Sequence, residues 1–431
     1  MIVKNGGEDL RLCLESVRPL VDQIVIADTG STDGSIAVAR SFGATIVEFP
    51  WCDDFAAARN AALAPITTDW VLSLDADEEV LPETLAEVRR LVSLNDDVVA
   101  GYNLKVRCYM HNRSVFFEGN SSQPNHDDAE RARDAPFYLE FLSVRLFRRH
   151  PGIFYTGCVH EMVIERIAAE GKSVRNSMGL IRNYGRLWDP ATCLRKQAYY
   201  RELGDRRVEE EPGDADAWYN LGLAEFGYGD NLKAMRCMEQ VYTIWKIPLP
   251  LYYIAKGLQR EGHLESALKI LSHIKDDGDL GLQKNLLKGD LLHDLNRLDE
   301  AHSSFERALQ ECEKAPHLFV WLSTLESRLG YVQVRRGYHC EGLELMRRSI
   351  ARTPGDLDLH DRLVKGCVIA RDDVAAAEAA EAILEHFVGE KLFARAAALR
   401  YRVQQTQRAR ELLERGLGLF PESSSLRAMR T

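Results

Sequence analysis

A change of rhythm near the middle of the chain constrains its fold more than any single residue does. Up to about Tyr184, short β-branched runs alternate with helical stretches, the signature of a parallel sheet with crossover helices. The expected strands lie at residues 2–3, 23–27, 45–49 and 70–74, and the expected helices at 10–20, 35–42, 55–63 and 82–94. Sheets of this kind bind ligands at the carboxyl ends of their strands. From about Pro212 the strand signal disappears, and the rest reads as paired amphipathic helices rich in Ala, Leu, Glu and Arg. A chain of 431 residues also exceeds the size at which one hydrophobic core keeps growing, so two structural units are expected.

In the helical part, glycines recur at Gly222, Gly257, Gly289, Gly330 and Gly366, separated by roughly 32 to 41 residues, near the ~34 of a tetratricopeptide repeat. The best unit is Trp218-Tyr219-Asn220-Leu221-Gly222-Leu223-Ala224, and Asn296 to Ala301 followed by Phe305, Ala308 and Leu309 supplies a second. These units resemble tetratricopeptide repeats, with degenerate copies after Gly330. Helix pairs of this type bury their apolar faces only by stacking, which creates an extended concave surface suited to a polypeptide.

Composition excludes several classes. Lys plus Arg total 55 against 65 for Asp plus Glu, a net charge of −10, and no long basic run exists, so a general nucleic-acid binder is not expected. No stretch approaches the ~18 apolar residues that span a bilayer. The nine cysteines are scattered without a C-x-x-C pair, as in a reducing compartment, and the expected location is cytoplasmic. Ile2 and Val3 read as the end of a buried strand, so the first strand is short or the chain begins upstream.

The segment richest in chemistry is Trp70-Val71-Leu72-Ser73-Leu74-Asp75-Ala76-Asp77-Glu78, a buried strand running into two carboxylates. Residues i and i+2 of an extended chain project to one side. Two such carboxylates can hold Mg²⁺ or Mn²⁺, whose other positions are left for diphosphate oxygens and water, and the metal makes a nucleoside diphosphate a viable leaving group. The plainer alternative is a solvated turn capping the helix that begins near Pro82. In Ile24 to Ser35 a second strand ends at Asp28 and turns through Thr29-Gly30-Ser31-Thr32-Asp33-Gly34 into a helix. Asp28 there suits a nucleoside, while Ser31 or Asp33 suits a helix cap. Arg59, following three alanines in Asp53-Asp54-Phe55-Ala56-Ala57-Ala58-Arg59-Asn60, has the planar fork of donors that a base or diphosphate accepts, or else lies on the surface. Neither G-x-G-x-x-G nor a P-loop is present.

The order Val3-Lys4-Asn5, Asp28-Thr29-Gly30-Ser31-Thr32-Asp33-Gly34-Ser35, Pro50-Trp51-Cys52-Asp53-Asp54-Phe55 through Asn60, and Leu74-Asp75-Ala76-Asp77-Glu78 resembles family 2 glycosyltransferases, more narrowly the branch with C-terminal tetratricopeptide repeats that includes peptide and protein glycosyltransferases. Gly6-Gly7 departs from the two acids that many relatives carry after the asparagine. The resemblance implies an α/β GT-A domain at 1–190, a helical linker at 191–213 and an all-α tetratricopeptide-like domain at 214–431. It implies inverting transfer of a sugar from a nucleotide-sugar donor, a UDP-hexose or UDP-N-acetylhexosamine, with Mg²⁺ or Mn²⁺. The acceptor is a protein or peptide; a lipopolysaccharide or polysaccharide acceptor, or a non-enzymatic repeat scaffold, are the alternatives. Lys4, Glu8, Asp28, Arg59 and Asp75 fall to the nucleotide sugar, Asp77 and His160 to the metal, and Glu161 with Asp77 to catalysis. Asp53, Asp54, Glu78 and Glu140 are further acids placed near the pocket, and self-association through the repeats is a further expectation.

Overall fold

The computed structural model describes residues 1–94, 96–111, 123–125, 127–187, 189–314, 318 and 321–430. The chain divides into two compact units, Met1–Trp245 and Lys246–Thr431.

The first unit begins with three parallel strands in the order β1 (Ile2–Val3), β2 (Val25–Asp28) and β3 (Thr45–Glu48), joined by α1 (Gly7–Val17) and α2 (Ser35–Ser41). The crossover follows from sequence: α1 buries Leu10, Cys13, Leu14 and Val17, a 3.6-residue stripe, and Leu10 and Leu14 close over Val3 and Ile26. Helix α3 (Phe55–Leu63) starts at Asp54, whose side chain accepts the Ala57 N–H at 2.8 Å.

The fourth strand departs from the expected all-parallel sheet. β4 (Trp70–Leu72) stops two residues early and joins a second, mixed sheet with β5 (Glu78–Val80), β6 (Val99–Met110), β7 (Gln123–Pro124), β8 (Phe137–Arg148) and β9 (Ser173–Asn183). It pairs antiparallel with β8, Val71 opposite Phe147, because the long β6–β8 ribbon offers an open edge there. β6 pairs antiparallel with β8 and parallel with β9, and β5 closes the other edge against β9. Helices α4 (Pro82–Ser93) and α5 (Ile164–Ala169) cover the sheet, Leu85, Val88 and Leu91 packing with Leu104, Leu146 and Ile181. Three helices complete the unit: α6 (Pro190–Glu210), α7 (Ala215–Tyr228) and α8 (Asn231–Trp245).

The second unit is all helix: α9 (Leu249–Arg260), α10 (Leu264–Leu271), α11 (Gly278–Asp294), α12 (Leu298–Lys314), α13 (Leu322–Arg335), α14 (His339–Arg352), α15 (Leu357–Ile369), α16 (Asp373–Ala382), α17 (Glu390–Arg402), α18 (Thr406–Leu419) and α19 (Ser424–Arg430). A left-handed residue sits at the turn inside every pair, counting α7–α8: Gly229, Gly262, Asn296, Gly337, Arg371 and Gln404, spaced by 33, 34, 41, 34 and 33 residues. The pairs after Gly330 therefore keep the repeat geometry although their sequence is degenerate. Small residues let the helices of a pair approach: a methyl group at Gly289 would lie 2.4 Å from the Phe305 ring, and one at Gly330 would lie 2.5 Å from the Gly342 carbonyl. No described helix is long and apolar enough to cross a membrane.

Candidate functional site

The carboxyl ends of the first strands converge, and the loops there are tied to each other by side chains. After β1, Asn5 takes a left-handed conformation, its amide oxygen accepts the Thr32 N–H at 2.7 Å, and its own N–H donates to Ser31 Oγ at 2.9 Å. Asp28 at the end of β2 accepts the N–H groups of Gly30 and Ser31, and Asp33 accepts that of Ser35 at 2.9 Å. Asp28 thus shapes its loop from within, and Asp33 fills the helix-start role weighed for it. Lys4 is exposed beside this loop, and Glu8, on the first turn of α1, is exposed and engaged by Arg11.

The Asp75–Asp77 segment is not extended. β4 ends at Leu72, residues 73–77 form the turn into β5, and the two carboxylates face different partners, so the same-side argument for an i, i+2 pair on a strand does not apply. Asp75 is held by Arg59 Nη2 at 2.7 Å and by Arg145 Nη2 at 3.4 Å. Arg59 also donates through Nε to Glu161, and Arg145 to the fully buried Glu78 at 2.7 Å. The result is an alternating series, Glu161, Arg59, Asp75, Arg145, Glu78, in which each charge removed from water has an opposite neighbour. Burial alone would raise Asp75, but the two guanidiniums outweigh it and hold its carboxyl well below the usual range. Burial pushes Glu78 up to about 7, with Arg145 opposing and Asp75 adding to the rise. Arg59 is itself buried, packs over the Tyr155 ring, and points inward from α3 rather than lying on the surface.

Asp77 stands outside that series. Its Oδ1 accepts from Asn183 Nδ2 at 3.3 Å, and its Oδ2 occupies the space beside Gly185, where a Cβ would lie 2.1 Å away. Burial and the neighbouring Asp75 push Asp77 up to about 6, and Lys196 of α6 offsets this in part. It does not cap α4, whose N-cap Leu81 has no side-chain bond, so the helix-cap alternative for the two acids fails.

His160 and Glu161 lie on a loop that Phe55 and α6 pin: the Phe55 N–H donates to the Cys158 carbonyl at 2.9 Å, and Arg207 Nη1 donates to the Val159 carbonyl at 2.7 Å. His160 is left-handed, with φ 55°. His160 is exposed on this loop, and desolvation by the surrounding protein lowers its pKa, with Glu161 opposing and Arg207 adding to the fall. Among the described residues no three His, Cys, Asp or Glu side chains gather into a metal-binding set. A divalent ion here would rest on one or two carboxylates and on its ligand's oxygens, the ordinary habit of Mg²⁺.

The segment read as a linker takes part in the site. From α6, Tyr199 and Arg206 hold Asp53, whose other partner is Trp51 Nε1 at 2.9 Å; Tyr200 packs on Phe55; and Tyr200 is raised by burial and by the charges of Asp75, Glu161 and Asp77. Of the other acids, Asp54 caps α3, and Glu140 pairs with Arg107 on β6. Sequence reading missed the roles of Arg145, Asn183, Gly185, Lys196 and Tyr200. Arg145 stands between Val144 and Leu146 near the end of β8, and a charge flanked by apolar residues in a strand was the available signal.

Comparison with known proteins agrees with this architecture. Residues 1–149 match the glycosyl transferase family 2 model, and residues 285–314, within α11 and α12, match the tetratricopeptide repeat model. A TPR repeat-containing protein of Synechococcus elongatus is 31% identical over 284 residues, covering 62% of this chain and 63% of that protein. An uncharacterized glycosyltransferase of Rickettsia felis is 31% identical over 107 residues, 25% of this chain and 38% of its own length. The chain thus covers less than two thirds of these relatives. A tetratricopeptide repeat protein from Parabacteroides merdae aligns with 56% of this chain and 93% of its own at 14% identity and a TM-score of 0.41. The α/β region carries a family 2 glycosyltransferase domain, and the helices that follow it include a tetratricopeptide repeat.

Proposed function

We propose that the protein is an inverting, metal-dependent glycosyltransferase that moves a sugar from a nucleotide-sugar donor, a UDP-hexose or UDP-N-acetylhexosamine, to a protein or peptide acceptor recruited by the repeats. The observation that carries this reading is Asp77: in the region that matches the family 2 model, it stands outside the Arg59–Asp75–Arg145 ion pairs, and burial and Asp75 raise it with Lys196 in partial offset. A divalent cation would favour the ionised form that burial and the Asp75 charge disfavour, so Asp77 suits Mg²⁺ or Mn²⁺, with His160 assigned to the same ion or to the diphosphate. When bound, the ion neutralises the departing nucleoside diphosphate.

The remaining roles belong to the chain itself. Asp28 and Lys4 at the strand ends are assigned to the nucleotide, with Glu8 at the rim. Arg59 orients Asp75 toward the donor and fixes Glu161, the assigned base, which takes the acceptor proton on the face opposite the leaving group. Gly185 keeps the space beside Asp77 clear of a side chain.

The test is hydrolysis of UDP-, GDP- and dTDP-sugars with Mn²⁺ or Mg²⁺, comparing wild type with Asp77→Asn. Turnover of one donor that needs the metal and falls at least ~100-fold in the variant is the expected result. Binding of no donor under any metal condition would refute the enzymatic reading.

A further inference from the structure

Helix α6 turns one face toward the carboxylates of the candidate site. Lys196, Tyr200 and Arg207 follow each other at intervals of four and seven residues, so they fall on one side of the helix. Arg207 Nη1 donates to the Val159 carbonyl at 2.7 Å, on the loop that bears Glu161. The Tyr200 ring lies against Phe55, with centroids 5.6 Å apart. Phe55 and Arg59 are in turn four residues apart on α3, so Tyr200 packs one helical turn from the guanidinium that holds both Asp75 and Glu161. The charges of Asp75, Glu161 and Asp77 all bear on its phenol.

The ring is anchored but its hydroxyl is not. Among the described residues the Tyr200 hydroxyl makes no hydrogen bond, and it is not sealed from solvent. Other tyrosines around the site are committed, Tyr199 to Asp53 and Tyr155 to Ser73 Oγ at 2.7 Å, as a half-buried phenol ordinarily is. An anionic ligand needs donors here, and the neighbouring ones are engaged by carboxylates. Arg59 serves Asp75 and Glu161, Arg145 serves Asp75 and Glu78, and Asn183 Nδ2 serves Asp77 and Glu78. Burial and the three carboxylates hold the Tyr200 phenol above its usual range, so it offers a neutral O–H and cannot take a proton from an acceptor.

We propose that Tyr200 is a donor-binding residue whose hydroxyl donates a hydrogen bond to the sugar-side phosphate of the nucleotide sugar. That phosphate adjoins the bond that breaks, which Asp77, assigned to the ion, and Glu161, assigned to the base, approach from the strand end and the loop. The inference rests on the donor reading above and deepens it: α6, beyond the family 2 match at residues 1–149, then supplies part of the donor site itself.

The experiment is calorimetric titration of the full chain with UDP and with UMP in Mn²⁺, for wild type and Tyr200→Phe; the GDP–GMP or dTDP–dTMP pair replaces them if wild type prefers that nucleotide. Phenylalanine keeps the contact with Phe55 and removes an oxygen that no described group of the fold uses, so the variant should melt as wild type does. Its affinity for the diphosphate should fall about 10-fold, the order for a hydrogen bond to a charged group, while the monophosphate binds both proteins alike. The proposal is overturned if the variant binds the diphosphate as wild type does, or if diphosphate and monophosphate weaken by the same factor, as a merely structural role would produce. Should wild type bind none of the three diphosphates, the donor reading falls together with this one; equal binding by wild type and variant removes the role of Tyr200 alone.

Discussion

Asp77 shows how a local sequence signal and its environment combine. Two acids spaced by one residue after an apolar strand stand out in the sequence as a candidate pair. Their division of labour does not, because it depends on Arg59, Arg145 and Asn183, which lie 16, 70 and 106 residues away from the acids they touch. The same environment has a thermodynamic consequence. Asp77 titrates near 6 in the folded chain against 3.8 as the ordinary value, so the native state binds the extra proton. That preference stabilises the fold fully below about pH 4 and is lost as pH rises through about 6. Asp77→Asn removes the penalty of carrying the ionised group. The variant is therefore expected to be more stable than wild type at about pH 8, on the order of 1–3 kcal/mol, with the difference vanishing toward about pH 4. Urea unfolding across that range checks it; a difference independent of pH would show that the carboxylate's burial is not its cause.

At the level of elements, α6 and the repeat turns show opposite degrees of legibility. The helix pairs announce themselves through periodicity, since the helix-interior glycines and apolar stripes recur, and the turns follow between them. Helix α6 carries no motif, and its contribution rests on Tyr199, Arg206 and Arg207 meeting loops far back in the chain, so it reads as a connector. β4 was misplaced for a related reason: a short apolar run does not say whether its neighbour is parallel β1 or antiparallel β8. The turns also allow a prediction of opposite signs at equivalent places. Gly337 and Arg371 occupy the same position in successive pairs, with φ of 96° and 59°. Gly337→Ala should lower stability by about 1 kcal/mol, whereas Arg371→Gly should raise it by up to about 1 kcal/mol, because only glycine adopts this conformation without steric cost. Thermal melts of the two variants compare them, and a loss in both would mean that the turn backbone is not the controlling factor.

For the whole molecule, the division into compact units places α6, α7 and α8 with the α/β domain. A fragment of residues 1–245 should fold cooperatively. A fragment of residues 1–189 should be soluble poorly or not at all, since Asp53 loses Tyr199 and Arg206, Phe55 loses Tyr200, and the Val159 carbonyl loses Arg207. Urea unfolding followed by tryptophan fluorescence distinguishes them, and equal stability of the two would assign α6 to the helical unit alone. The long reach of those contacts has a temporal side. Asp53 and its partner Arg206 are 153 residues apart. At roughly 5–20 residues per second, a ribosome delivers the Asp53 loop about 8–30 s before the arginine that closes it. During that interval strands β4 to β9 are still being made, and the Asp53 loop stays without its partner until a helix that contributes nothing to either sheet has been translated.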